Sequence, residues 1–277
     1  MPKVWELGPR DLQAALCLAG RRPVENVLVL SKLRGSALDP GLLGHAVFGY
    51  GETGQLASLL SVGPSLLPVE ADEAALDAFA RVLGGLRRAN SIVGLRPQAL
   101  GLWRKLANRH PEVWGNPQAV RDCQPVFMLD GDPAGPWDPR VGAVGPQAEE
   151  AYFEAAVAMY TEEIGSSPLD PSGGYRRHIG QLLRRGDGYG LVEQGRVLFK
   201  TDISVASGSV CQIGGVWLHP DLRGRHLAAP LLAGVIRLVR RRWPICSLYV
   251  NDYNATALSL YRRLGFAQIN LAATVLW

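Results

Sequence analysis

The spacing of apolar positions changes period along the chain, and each change marks an element. In the second half, "GYGLVEQ" from Gly188, "VLFKTDISVA" from Val197 and "VCQIGGVWLH" from Val210 predict three strands. The Gln194-Gly195 pair supplies a hairpin turn and Gly208 a second, so the three form an antiparallel meander. The third strand ends at His219-Pro220, because proline has no N–H to give the ladder. Leu227, Leu231, Val235, Leu238 and Val239 then recur at helical spacing and predict a helix starting near Leu227. A strand, "CSLYV", and a helix from about Thr256 complete the run. A meander feeding a strand–helix–strand–helix run is a mixed α/β sheet.

The first half echoes the second. "VWELGPRDLQAA" from Val4 and "VGAVGPQAEEAY" from Val141 both read as a short strand, a Gly-Pro turn and an amphipathic helix. Near the end of each half comes another strand and helix, "SIVGLRPQALGLWRKLAN" and "SLYVNDYNATALSLYRRLGF". Leu102-Trp103-Arg104-Lys105-Leu106 aligns with Leu260-Tyr261-Arg262-Arg263-Leu264. Between the halves, "GDPAGPWDPRVG" has the glycine and proline content of a linker. The chain therefore reads as a tandem repeat cut at residues 132–140, with domains 1–135 and 136–277. A chain of 277 residues suits two domains of about 130–140 each.

Composition removes several classes of function. Hydrophobic residues make up 47%, enough for a sizeable core, yet no run approaches the ~20 apolar residues a bilayer span requires. "MPKVWELGPRD" has no secretory apolar region, and "NVLVLSKL" is too short to act as one, so a cytoplasmic protein is expected. A net charge of +4 lacks the concentrated basic face of a nucleic-acid binder. Cys17, Cys123, Cys211 and Cys246 show no CxxC spacing. No disulfide framework or metal site is expected, and the thiols should act as small buried hydrophobes. The excess of arginine over lysine, with abundant Ala, Gly and Leu, fits a GC-rich genome such as an actinobacterium's.

The stretch of chemical interest is Arg223-Gly224-Arg225, between the third meander strand and the helix. It is either a tight surface turn or a place to hold an anion. The first N–H groups of a helix have no internal partner, and together with the macrodipole they attract phosphate. Gly224 admits close backbone approach, and Ala228 and Ala229 leave room. Neither a Walker A sequence nor a GxGxxG fingerprint is present. Arg240-Arg241-Arg242 ends the same helix, where cations offset the dipole.

"VWLHPDLRGRHLA" resembles the coenzyme signature of the GCN5-related N-acetyltransferases, the GNAT superfamily: Arg or Gln, two residues, Gly, one residue, Gly or Ala. "LYVNDYNATALSLYRRLGF" resembles its second signature, with Asn254, Tyr261 and Leu264-Gly265-Phe266 in place. The resemblance covers residues 140–277, and the whole chain resembles two-domain actinobacterial GNAT proteins with an uncharacterised N-terminal domain. It departs at His226, where the family carries its first glycine. That ring either donates to a phosphate or is a partly exposed helix-start residue.

The resemblance implies acetyl-CoA as cofactor. Its pantetheine arm would lie along Val216, Trp217 and Leu218. Its diphosphate would rest on Arg223, Gly224, Arg225, His226, Leu227, Ala228 and Ala229, and Asn254 would touch it from the other side. Tyr261 stands where the family's proton donor to the departing thiolate stands, and an unperturbed phenol with pKa about 10 keeps its proton at neutral pH. The base is open among Glu162, Glu163, Glu193, Asp202 and a water relay. Glu162 and Glu163, in the variable acceptor region, are the first guess for substrate contact. The expected activity is acetyl transfer to a primary amine of a small molecule or peptide. Alternatives are a mycothiol-synthase-like acetyltransferase and a non-catalytic acetyl-CoA sensor or scaffold. In the first half Trp103 replaces the tyrosine, and Glu70, Asp72 and Glu73 would repel a diphosphate, so that half reads as a degenerate GNAT-like domain without cofactor. An unrelated partner-binding domain is the other reading of it.

Overall fold

The computed structural model describes residues 2–43, 45–52, 54–169 and 171–277. The chain divides into two compact units. The first comprises Met1–Phe127, Tyr249–Asn254 and Gln268–Trp277; the second comprises Met128–Leu248 and Ala255–Ala267. The Pro/Gly-rich segment predicts a single cut after residue 135. The units instead interleave: the first division falls inside a strand, and the last ten residues belong with the first unit.

In the first unit, β1 (Lys3–Glu6) precedes a 3-10 turn at Pro9–Asp11, α1 (Leu12–Ala19), α2 (Val27–Ser36) and the short α3 (Pro40–Leu43). Then come β2 (Ala46–Glu52), β3 (Gln55–Val62), β4 (Ser65–Val69), α4 (Glu73–Leu83), β5 (Ser91–Leu95), α5 (Arg96–Arg109), the short α6 (Pro111–Trp114) and β6 (Ala119–Asp130). The second half repeats this order. It has β7 (Gly142–Ala143), a 3-10 turn at Pro146–Ala148, α7 (Glu149–Ile164), α8 (Gly174–Arg184), β8 (Gly188–Glu193), β9 (Arg196–Ser207) and β10 (Val210–Leu218). It continues with α9 (Ala228–Val239), β11 (Ile245–Tyr249), α10 (Ala255–Arg263) and β12 (Ala267–Leu276).

The pairing repeats as well. β1 to β4 are successively antiparallel with β4 parallel to β5, just as β7 to β10 are successively antiparallel with β10 parallel to β11. Both halves thus carry the strand, Gly-Pro turn and helix read from the sequence, and then the meander and crossover. The reason for the interleaved division is β12, which pairs antiparallel with β5, from Ala272↔Leu95 to Leu276↔Ser91. Its Ala273 and Val275 are fully buried in the first unit's core with Phe79, Ile92 and Leu102.

The second unit's core lies between the meander and helices α7 and α8, around Tyr152, Phe153, Ile179, Leu182 and Trp217. Gln194 (φ 51) and Gly195 (φ 74) are both left-handed, the conformation of a two-residue hairpin turn. The expectation that all four cysteines are buried holds for Cys211 and Cys246 only; Cys17 is exposed and Cys123 intermediate, and all four are free thiols. Among the described residues, no helix is long and apolar enough to cross a membrane.

Candidate functional site

β10 and β11 pair over only three positions, Val210↔Ile245, Cys211↔Cys246 and Gln212↔Ser247. β10 runs on to Leu218, so its later residues are not part of that ladder. Beyond it lies a cleft of about 600 Å³. One wall is Leu218, Arg223, Gly224, His226, Leu227, Ala228 and Ala229, and the other is Ala255, Thr256, Ser259, Leu260 and Arg263 of α10. The cleft is therefore the loop and helix start singled out in the sequence, faced by one side of α10.

The loop leaves β10 through a 3-10 turn at Pro220–Leu222, in which the Arg223 amide donates to Pro220 O at 3.1 Å. That amide is spent within the turn and is not open to a ligand. Gly224 (φ 74) and His226 (φ 57) are both left-handed. α9 starts with Leu227 as its N-cap, and no side chain caps it. Its first residues, Ala228 and Ala229, line the cleft, where their amides cannot find partners within the helix.

The equivalent helix of the first half is closed. α4 has Asp72 as its N-cap, and that carboxylate accepts from Ala75 N at 2.8 Å. The acidic segment read from the sequence as repelling diphosphate thus places a built-in anion on the helix start.

The Arg223 side chain turns back from the loop. Its Nε donates to Leu218 O at 3.0 Å and its Nη2 meets Glu162 Oε2 at 2.7 Å. Glu162 Oε1 accepts from Trp217 Nε1 at 3.3 Å. Glu162 at the end of α7 therefore ties β10 to the loop, with both oxygens engaged. Glu163 is exposed. Glu193 pairs with Arg140 at 2.8 Å, and Asp202 is buried against Lys200 at 3.1 Å.

Tyr261 is 7% exposed and stacks edge-on to Phe266 at 6.0 Å. Burial, and next the charge of Glu163, hold its phenol above the ordinary range. It lies on the buried side of α10 with Leu258, not among the residues lining the cleft. Val216, Trp217, Arg225 and Asn254 also lie outside that lining, and Asn254 immediately precedes α10.

Sequence reasoning missed Ala255, Thr256, Ser259, Leu260 and Arg263. The signal was present: their spacing covers one face of α10, opposite Leu258 and Tyr261.

Residues 188–276 match the family model described as FR47-like protein, and residues 45–152 match a domain of unknown function, DUF4081. No curated protein matches this chain in sequence. Among solved structures, a GCN5-related N-acetyltransferase from Sphaerobacter thermophilus is 18% identical with TM-score 0.61, covering 99% of this chain and 95% of that one. An acetyltransferase of the GNAT family from Colwellia psychrerythraea is 12% identical with TM-score 0.61, covering 99% of both chains. A tandem GNAT protein from the clavulanic acid biosynthesis pathway is 14% identical with TM-score 0.55, covering 99% of this chain and 98% of that one. The chain has the fold of the GCN5-related N-acetyltransferases, in a two-domain arrangement along its whole length.

Proposed function

We propose that this chain is an acetyl-CoA-dependent N-acetyltransferase whose coenzyme site is the cleft of the second unit and whose acceptor is a primary amine of a small molecule or peptide. One observation carries the reading. The α9 start is uncapped and opens on the cleft, whereas its counterpart α4 is closed by Asp72. Unpaired amides at a helix start beside left-handed Gly224 fit a diphosphate. The stretch of β10 beyond the parallel ladder fits an extended, amide-bearing arm. A relative in fold is described as a tandem GNAT protein without AcCoA.

Bound there, the coenzyme would supply an acetyl group already activated as a thioester. Gly224 to Ala229 would hold its diphosphate, and Arg263 would add a cation on the opposite wall. Val216 to Leu218 would align the arm. Holding acceptor and acyl group in register converts a bimolecular encounter into a local one. Tyr261 Oη keeps its proton through neutral pH and is the donor for the leaving sulfur, a role worth ~10²–10⁴-fold in rate. Glu162 acts by tying Trp217 to Arg223, and Glu163 remains the exposed carboxylate for the acceptor.

Calorimetric titration with acetyl-CoA tests the site, and release of free CoA with a panel of amines tests the reaction. Saturable binding at one site per chain with amine-dependent release is expected; no binding would end the proposal. A second reading, an acetyl-CoA sensor without turnover, is favoured by the position of Tyr261 outside the cleft lining. Tyr261→Phe separates the two, because a catalyst slows on losing that hydroxyl while a sensor has no turnover to lose.

A further inference from the structure

The Pro/Gly-rich segment that reads in the sequence as a linker lies within the second unit and is tied to both walls of the cleft. The Ala134 amide donates to Leu264 O at 3.0 Å and the Asp138 amide to Pro230 O at 2.9 Å. Pro230 directly follows the lining residue Ala229 in α9, and Leu264 directly follows the lining residue Arg263 at the end of α10. Carbonyls at a helix end lack helical partners, so the bond to Leu264 O also completes the end of α10. Further along α9, Asp132 meets Arg240 Nη1 at 2.7 Å and Arg237 Nη1 at 3.6 Å. The Arg237 guanidinium lies 5.7 Å from the centre of the Trp137 ring.

Only Gly135, Pro136 and Trp137 separate the two donating residues, so the chain between them reaches at most about 14 Å. Pro133, Pro136 and Pro139 each fix φ and stiffen that short run. The segment also presses on α9. A Cβ on Gly234, inside that helix, would lie 2.5 Å from Asp138 O and 2.6 Å from Val141 Cγ2. Glycine weakens a helix interior, so this close seat is kept against the helix's own preference. Stability does not account for the anchor at Asp132, whose side chain is 63% exposed, because exposed ion pairs contribute little. What the anchors share is that they fix where α9 starts relative to where α10 ends.

We propose that residues 132–140 form a positioning strap that sets the spacing of the α9 start and the α10 end, and so the width of the coenzyme cleft. This deepens the coenzyme reading above and rests on it. None of the strap residues is among those lining the cleft; the strap acts through its two backbone bonds to the helices that do. Groups held in place beforehand bind a ligand without the cost of ordering them first. Such coupling is reciprocal: a strap that favours coenzyme binding is itself held closed by bound coenzyme.

The test is hydrogen exchange at the Ala134 and Asp138 amides of the full chain, with and without saturating free CoA, together with calorimetric Kd values for CoA. In the unaltered protein CoA should slow both amides at least about fivefold, the lower end of ordinary coupling. Local opening of a strap with no part in binding would be as frequent with CoA as without it. A variant with Gly-Gly inserted between Gly135 and Pro136 should bind CoA at least about fivefold more weakly at a nearly unchanged melting temperature, because a slightly longer loop costs folding little. If the lengthened chain does not fold, the exchange measurement on the unaltered protein decides alone. Unchanged exchange on binding, or an unchanged Kd in the lengthened variant, overturns the positioning role while coenzyme binding stands. Failure of the unaltered protein to bind CoA overturns the coenzyme reading and this inference with it.

Discussion

Glu162 holds Arg223 Nη2 at 2.7 Å with one carboxylate oxygen and the Trp217 indole N–H at 3.3 Å with the other. A residue at the end of α7 thus spans from β10 to the loop that opens the cleft. Both Glu162 and Arg223 are well exposed, so the ion pair should contribute at most about 1 kcal/mol to folding. Its effect should fall on the loop. Glu162→Gln should leave the melting temperature nearly unchanged and alter the Kd for CoA, as Arg223 is released toward the cleft. Calorimetry on the variant checks this. An unchanged Kd together with collapsed amine acetylation would instead make Glu162 an acceptor contact.

His226 is a left-handed residue at a position where glycine suits the backbone. The left-handed conformation costs an L-residue about 1–2 kcal/mol, partly offset by glycine's greater entropy loss. His226→Gly should therefore raise stability by a few tenths to about 1 kcal/mol, and His226→Val should lower it. Urea unfolding of the three proteins measures the order. A loss of CoA affinity in His226→Gly would show the imidazole acting as a phosphate ligand; unchanged or tighter binding is expected.

Local signals were legible in the sequence wherever a period and a turn residue agreed. Gln194-Gly195, Gly208 and His219-Pro220 bounded β8, β9 and β10 correctly, and the Leu227 to Val239 spacing gave α9. The Asp72 cap was legible as an acidic segment facing a helix start. Long-range placement was not. Nothing in "AQINLAATVLW" says that its strand pairs with Ser91–Leu95, because alternation specifies a buried face and leaves the neighbour open. The slip of the β9–β10 ladder between Gly214 and Trp217 was also hidden, because "VCQIGGVWLH" reads as one continuous strand. Tyr261 was placed by resemblance, and only the orientation of α10 shows it on the buried side.

The C-terminal strand supports the first unit more than its position in the sequence implies. β12 lies beside β5, and Trp277 packs edge-on against buried Trp114 at 5.3 Å while its amide donates to Asn90 O at 3.0 Å. Thr274 Oγ1 donates to Gln124 Oε1 at 2.7 Å inside the same unit. Removing residues 268–277 should therefore unfold the first unit, leaving a β5 edge and an apolar core open to water. A fragment ending at residue 135 should fail likewise, since it lacks the same strand. Hydrogen exchange on the truncated chain checks this: loss of protection in Ile92 and Phe79 is expected, and retained protection would show that β12 is dispensable.

Alkaline stability follows from the tyrosines around α7. Burial, with Asp202 and then Tyr160 adding to it, pushes the Tyr175 hydroxyl up to about 12. Burial likewise raises Tyr152, reinforced by the neighbouring Asp202. In the unfolded chain a tyrosine titrates near about 10. Below that pH both states hold these protons and the stabilisation is complete. As the pH rises further the unfolded chain releases them first, so the unfolded state gains and stability falls toward pH 12. Tyr175→Phe removes one of these titrations and also the bond from Tyr175 Oη to Ala156 O at 3.1 Å. At neutral pH the variant should be less stable by about 1 kcal/mol, the usual net worth of one hydrogen bond. Above about pH 10 its stability should fall less steeply than that of the unaltered protein, so the two curves converge. Urea midpoints followed into the alkaline range measure both limbs, and parallel curves would mean that Tyr175 titrates alike folded and unfolded.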